Sequence, residues 1–299
     1  MAVESLVSVG DILEPSGATL WRRRVFGHTT FISGASILLF VIAVALLAPW
    51  LAPHDPYAQD LSKRLIPPVW DATGSWVHPL GTDQLGRDYL SRLIYGARIS
   101  LLIGLSTMLI SGVIGTALGT AAGYFGGRTD LAIGFLITTR LATPVILVAL
   151  AVAALAGPSL RNVILVLSLL LWDRFAVVTR SVTQRIRSLE YVASARAVGC
   201  STSRIVISEI LPNILDSVIV VGTLEMAQAI ILEAALSFLG LGIPPPLPSW
   251  GLMIAEGKEY MFFSPWVIAV PGVALFALVF AINLLGDGMR DLTAPENRR

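Results

Sequence analysis

ISLLIGLSTMLISGVIGTALGTAAGYF, residues 99–125, carries no Asp, Glu, Lys, Arg or His across 27 positions. A helix needs roughly 20 consecutive apolar residues to cross the ~30 Å hydrocarbon core of a bilayer, and this run exceeds that length. Within it Gly115, Gly119 and Gly123 recur at every fourth position, with Gly112 and Thr116 beside them. Such spacing gathers small residues on one helix face, where two backbones can approach closely in lipid. The stretch therefore predicts a membrane-spanning helix with a close-contact face.

Outward from it, five more apolar runs lie at 31–50, 131–156, 162–178, 214–239 and 265–285, giving six predicted spans. Asp173 and Arg174 interrupt the fourth, and Pro144 and Pro271 fall inside the third and sixth. Those prolines are consistent with ordinary packing kinks or with bends beside a pathway. Composition agrees: 55% of the 299 residues are hydrophobic, only 14% are charged, and mean hydropathy is +0.76. A soluble domain carries about 25% charged residues, so a soluble enzyme is excluded. The predicted fold class is an all-α, six-helix transmembrane bundle. No basic patch for nucleic acid emerges, and the single cysteine, Cys200, excludes an internal disulfide or a Cys-based zinc site.

Orientation follows from the arginines. With the N-terminus inside, 13 Lys and Arg fall in cytoplasmic segments and 7 outside, with Arg140 left within a span. Basic residues hold short loops in the cytoplasm, and the densest cluster is Arg174, Arg180, Arg185, Arg187, Arg196 and Arg204. Both termini are then cytoplasmic. The run at 31–50, preceded by Arg22, Arg23 and Arg24, is longer than the core of a secretory signal and reads as an uncleaved anchor. The chain divides into a cytoplasmic segment at 1–30, a first span with an outside segment at 31–98, a core at 99–290 and a tail at 291–299.

In the outside segment Leu90, Leu93, Ile94 and Ala97 recur at helical spacing, with Arg87, Asp88, Ser91, Arg92 and Arg98 on the other face. That pattern fits a helix lying in the membrane interface, or a short helix packed into an outer cap. The second outer loop, 242–265, holds Pro244, Pro245, Pro246 and Pro248 and then Trp250. Pro244, Pro245, Pro246 and Trp250 are candidates for a stiff outer gate, and a rigid surface cap fits equally.

The inside loop at about 181–213 contains SLEYVASARAVGCSTSRIVISEILPN, residues 188–213. Ser188 can cap a helix start, Glu190 suits the positive end of the dipole, and Gly199 can supply a left-handed stop. The shallow apolar side is Tyr191 or Val192, Ala195 and Val198. A second helix can start after the cap candidates 201–203 and run toward Pro212. The first helix suits docking into a groove on a soluble partner, or lying on the membrane surface.

This loop resembles the coupling loop of ABC importer permeases, whose pattern is Glu-Ala-Ala, three residues, Gly, then about a dozen residues to Leu-Pro. Here the positions read Ala193, Ser194, Ala195, Gly199, Leu211 and Pro212. EYVASARAVG followed by ILPN looks like the dipeptide, oligopeptide and nickel subgroup. HPLGTDQLGRDYLSRLIYGARISL (78–101), EAALSFLGLGIPPPLPSWGLM (233–253) and NLLGDGMRDLTAP (283–295) resemble the second, C-type permease of that subgroup. The chain departs from the family in its third span, where Gly134, Phe135 and Thr138 replace a Met-Arg and later Asp, and Arg140 lies near Pro144. In the fourth span the family's Trp-Pro is Trp172 and Asp173.

The resemblance implies a type I importer half-channel in a bacterial or archaeal cytoplasmic membrane. Its partners would be a second homologous permease, two cytoplasmic ATPases that use ATP and Mg, and an extracytoplasmic substrate-binding protein. Glu190, Tyr191, Val192, Ala193, Ser194, Ala195, Arg196, Gly199, Leu211 and Pro212 would couple the chain to an ATPase. Dipeptides or short oligopeptides are the implied cargo, with nickel chelates or another small solute as the alternative within the family.

Other classes leave fewer traces. The only Gly-Lys, at 257–258, precedes Glu259, so a phosphate-binding loop is absent, and no Gly-x-Ser-x-Gly occurs. His28, His54 and His78 lack metal-ligand spacing, so no catalytic residue, metal ligand or cofactor is expected on this chain. An ion-coupled secondary transporter would more often show paired internal repeats, and none is evident. Arg140, Glu225 and Glu233, each costly within a span, are candidates for lining the pathway or holding helices together. An Arg140–Glu225 ion pair is one expectation.

Overall fold

The computed structural model describes residues 27–293, all of them helical or irregular apart from two isolated bridges, Ser75–His78 and Thr82–Asp88. The predicted cytoplasmic segment at 1–30 and tail at 291–299 lie mostly outside the described residues, as do Arg22, Arg23 and Arg24.

Helix α1 (Thr29–Leu46) is followed by a single turn, Ala48–Leu51. An extended outer segment then leads to α2 (Tyr89–Phe125), which runs 37 residues without a break. At 1.5 Å per residue α2 is about 55 Å long, well beyond the hydrocarbon core, so its first turns stand clear of lipid. The amphipathic stretch at 85–98 is thus no separate interfacial helix. Its polar residues Arg87, Asp88, Ser91 and Arg92 are buried, while Leu90 and Leu93 are only half-buried. They face protein rather than water.

The tight turn at Gly126 leads into α3 (Gly127–Leu141), and α4 (Val145–Ala156) follows at an angle of 88°. The predicted span at 131–156 is therefore broken. Proline lacks an N–H and disfavours helix in the residue before it, and Pro144 caps α4 from outside the helix. The next span consists of α5 (Leu160–Leu170) and α6 (Asp173–Arg187), parted at Leu171 and Trp172. After the loop helix α7 (Glu190–Ala197), α8 (Thr202–Phe238) passes through a π turn at Ile205–Ile210. A widened turn relieves the clash between a proline ring and the carbonyl four residues upstream, and Pro212 sits just beyond it. Helix α9 (Trp250–Gly257) stands in the second outer loop, and α10 (Trp266–Thr293) ends the described chain. Among the described residues five helices are long and apolar enough to cross a membrane, and the bent α3–α4 pair makes a sixth candidate.

The main contacts join α2 to α6, α10 to α1, and α8 to both α2 and α10. The small-residue face explains the first. A Cβ on Gly115 would come 2.2 Å from the Trp172 carbonyl oxygen, and one on Gly119 would come 2.1 Å from Thr179 Oγ1 and 2.4 Å from the Ala176 carbonyl oxygen. Only hydrogen fits there. Besides a small apolar cluster that joins α2, α3 and α6 around Ala122, Ile133 and Ala176, three larger ones fill the bundle. One joins α2, α4, α5 and α8 around Ile103, Leu167 and Leu236, and a second joins α1, α2, α8, α9 and α10 around Ala97, Trp250 and Leu278. The third gathers Tyr124, Ile186, Val192, Ile205, Ile210 and Ile214 at the far end of α2.

Pro271 lies inside α10 without breaking it. The carbonyl it cannot engage, on Val267, accepts a hydrogen bond from the Tyr89 hydroxyl at 2.5 Å.

Gly119→Ala should destabilise the protein by about 1–3 kcal/mol through overpacking, read as a lower thermal midpoint in detergent. Adding Thr179→Ala should not restore it, because the Ala176 carbonyl still meets the new methyl group.

Candidate functional site

Three polar constellations interrupt the apolar bundle: one at the outer-segment end of α2, one at mid-depth, and one at the far end.

At the outer end, Asp83 Oδ2 accepts from Arg87 Nε at 2.6 Å and from Arg92 Nη1. Glu256 Oε2, on α9, accepts from Arg92 Nη2 at 2.8 Å and Arg87 Nη2 at 3.2 Å. Both arginines and Asp83 are almost wholly buried, and the Glu256 side chain retains 15% exposure. Two cations and two anions thus neutralise one another and bind the outer segment, the start of α2 and α9 into a single cap. The sequence signal was present in part, since Asp83 and Arg87 are four residues apart. Glu256 is 169 positions from Arg87, and nothing local points to it.

Trp250 belongs to the same cap. Its Nε1 donates to the Leu93 carbonyl at 2.9 Å, its backbone N–H donates to Ser100 Oγ at 3.2 Å, and it is buried against Gly96. It is a packed anchor, not a free gate residue. Pro244 is half-buried and Pro245 and Pro246 are exposed on the connection between α8 and α9. Glu233 is also fully buried, and its Oε1 accepts from Ser237 Oγ at 2.7 Å and Ser249 Oγ at 2.9 Å. Ser249 in turn caps α9 by accepting from the Leu252 N–H at 3.1 Å. Glu233 therefore fixes the outer loop to α8.

At mid-depth the expected Arg140–Glu225 pair is not formed. Arg140 donates through Nε at 2.8 Å, and through Nη2, to the Leu170 carbonyl, the last of α5. A cation there also complements the negative end of the helix dipole. Asp173 starts α6 where an anion is favoured, so the break survives without a proline at that position. Glu225, fully buried on α8, pairs instead with Arg174 Nη1 at 3.1 Å. Hydropathy could locate these charges in depth but not in rotation about their helices.

At the far end, α7 is held by one face. Val192 is buried in the third cluster and Ala195 packs against it. Glu190, Tyr191, Ala193, Ser194, Arg196 and Val198 are exposed, Val198 to 84%. Val198 thus lies outside the apolar side expected for it. Arg196 lies over the Tyr124 ring, 5.1 Å from its centroid. The helix ends as the sequence implied: Gly199 has φ +83°, its N–H donates to the Arg196 carbonyl, and the Cys200 N–H donates to the Ala195 carbonyl. That is a Schellman stop. Ser188, however, closes α6 through the Arg185 carbonyl and leaves α7 without a side-chain cap. Leu211 is half-buried against the same cluster, and Pro212 is exposed.

A family described as binding-protein-dependent transport system inner membrane component matches residues 115–299. A second, the N-terminal TM domain of oligopeptide transport permease C, matches residues 19–68. The di/tripeptide transport system permease protein DppC of Pseudomonas aeruginosa (strain UCBPP-PA14) is 41% identical over 265 residues, covering 89% of this chain and 88% of that protein. The glutathione transport system permease protein GsiD of Pectobacterium atrosepticum is 38% identical over 276 residues, covering 92% and 90%. Among solved structures, an inward-facing form of the MetNI methionine ABC transporter aligns with a TM-score of 0.56 at 18% identity, covering 69% of this chain and 98% of that one. The last likeness establishes the fold, that of a type I ABC importer permease.

Asp83→Asn should cost about 3–5 kcal/mol, because it leaves buried guanidinium charge uncompensated. Glu256→Gln should cost less, since water reaches that carboxylate. Thermal midpoints of the two purified variants, compared side by side, test the order.

Proposed function

We propose, from the premise that this chain belongs to the family of binding-protein-dependent transport system inner membrane components, that it forms half of the pathway by which an ATP-driven importer brings in dipeptides or short oligopeptides. It is a multi-pass permease subunit of the inner membrane. The cargo rests on the relatives: the P. aeruginosa protein is named for di- and tripeptides and its Haemophilus influenzae counterpart, 38% identical over 263 residues, for dipeptides.

The observation that carries the mechanism is α7, a short helix anchored on one side and exposed on the other. Its buried residue, Val192, shares a cluster with Ile186 of α6, Ile205, Ile210 and Ile214 of α8, and Tyr124 of α2. A push on the exposed face is thereby passed to three spanning helices at once. In the proposed assembly a second, homologous permease completes the pathway, and both termini face the cytoplasm. Two cytoplasmic ATPases bind ATP and Mg²⁺, and α7 seats in a groove on one of them. When the ATPases close, α7 moves with them and the helices rock between inward-open and outward-open arrangements. A binding protein delivers cargo to the other face, and no covalent chemistry on the cargo is required.

Ala193→Arg and Val198→Glu alter exposed positions of this helix and its cap. In proteoliposomes holding the complete complex and its binding protein, each should lower ATP-dependent dipeptide uptake at least about tenfold with little change in thermal midpoint. Uptake at the unmodified rate in both variants, or uptake that persists with hydrolysis-deficient ATPases, would overturn the proposal.

A further inference from the structure

His54 and His78 fall 24 positions apart in a segment where chain spacing gives no hint of a ligand set. The fold brings them together at the start of α2. Asp88, the cap of that helix, divides its two oxygens between different tasks. Oδ2 accepts from the backbone N–H of Ser91 at 2.8 Å and from its hydroxyl at 2.7 Å. Oδ1 faces two imidazoles, with His78 Nδ1 at 2.8 Å and His54 Nδ1 at 3.5 Å. The two rings lie 4.8 Å apart between centroids, and the three residues offer ligand atoms that all fall within 4.8 Å of one another.

A second observation points the same way. His78 is only 6% exposed, and its Nε2 is buried without a hydrogen-bond partner. A buried ring nitrogen left unpaired is an exception that calls for an explanation, and imidazole nitrogen is a common metal ligand. His54 is held in place from behind, its backbone N–H donating to Ser91 Oγ at 3.1 Å, while 39% of its side chain remains exposed. The cluster is therefore preorganised on two sides and open on a third.

We propose that His54, His78 and Asp88 bind one divalent transition-metal ion of the zinc class. One nitrogen of each imidazole and one carboxylate oxygen would serve as ligands, with water completing the shell on the His54 side. Zinc–ligand bonds of about 2.0–2.1 Å in a tetrahedron put ligand atoms about 3.3 Å apart. The two Nδ1 atoms stand 2.8 and 3.5 Å from Asp88 Oδ1 and the whole set lies within 4.8 Å, so a small side-chain adjustment, with a turn of the His78 ring where Nε2 is the ligand, closes it on an ion. Two imidazoles and one carboxylate suit zinc, nickel or copper, whereas calcium and magnesium ask for oxygen. Such an ion ties the chain just beyond α1 to the loop before α2 and to the first residue ahead of α2. It is a staple in the outer cap, separate from the Asp83–Arg92–Glu256 cluster and independent of which cargo the importer carries.

The test uses the full complex, stripped with a chelator and without binding protein or cargo. Zn²⁺ alone is titrated against a competing chromophoric chelator, and retained metal is counted by mass spectrometry after gel filtration. The expected result is one zinc per copy of this chain beyond any bound by the ATPases, the latter measured on those subunits alone. Zinc should also raise the thermal midpoint, as a ligand of the folded state must. His54→Ala, on the exposed side, should weaken binding at least about tenfold and abolish the thermal shift. His54→Cys should retain both, because thiolate is a zinc ligand. Equal zinc content and equal thermal shift in the unmodified protein and His54→Ala would leave a hydrogen-bonded triad only, as would no zinc above the ATPase contribution in the unmodified complex.

Discussion

A carbonyl released from its helix and buried by protein finds no water, and this chain is built around donors supplied from elsewhere in itself. Pro271 frees the Val267 carbonyl, and the Tyr89 hydroxyl from α2 takes it. The end of α5 frees the Leu170 carbonyl, and the Arg140 guanidinium from α3 takes it. Buried away from water, each unmet group costs on the order of 1–3 kcal/mol, so these bonds help decide which helices can be neighbours. Tyr89 must stand beside α10, and the break between α5 and α6 must stand beside the end of α3. Buried charge is met only in part: Glu233 Oε1 accepts from Ser237 and Ser249 while its Oε2 has no hydrogen-bond partner, and Glu225 is paired in charge with Arg174.

Satisfying those groups leaves close packing to decide the rest. Lipid tails are as apolar as the helix faces they touch, so burial does little to pull helices together. Gly115 and Gly119 act by letting α2 approach within a hydrogen's breadth of the α6 backbone. The approach is continuous along the helix, and the tie between Asp130 of α3 and Arg180 of α6, 2.8 Å at Nη2, extends it to the broken span. Helices α2, α3 and α6 thus behave as one body, and α7 is joined to it through Ile186 and Tyr124.

The spans and the Schellman stop at Gly199 were legible because each follows from a local rule: hydropathy over about 20 residues, or glycine's access to positive φ. Pro144 announced a kink but not the full break at 88°, which depends on what packs against either half. The polar stripe at Arg87, Asp88, Ser91 and Arg92 misled for a definite reason. Periodicity reports that one helix face differs from the other, and leaves open whether the polar face meets water or other charges. Here it meets Asp83 and Glu256, and the latter arrives from α9, a helix the prolines around it concealed. The nearness of His54 to His78 could not be read on the same ground, because their approach is made by the tertiary path of the outer segment rather than by spacing.

Helix α2 connects the charged outer cap to the cluster beneath α7. Its first turns are locked in the charged outer cap, its last turn carries Tyr124 beneath α7, and no proline or break interrupts the 37 residues between. Prolines and widened turns, two sources of sharp bends in helices, are absent from α2, which does hold a Ser-Gly pair at 111–112. The compliant places are elsewhere, at the α3–α4 bend, at the gap between α5 and α6, and at the π turn of α8 ahead of Pro212. Two of these border the mid-depth charges Arg140, Asp173, Arg174 and Glu225. Arg140 thus meets the Leu170 carbonyl that the gap between α5 and α6 exposes, and Arg174, on the other side of that gap, pairs with Glu225 within α8.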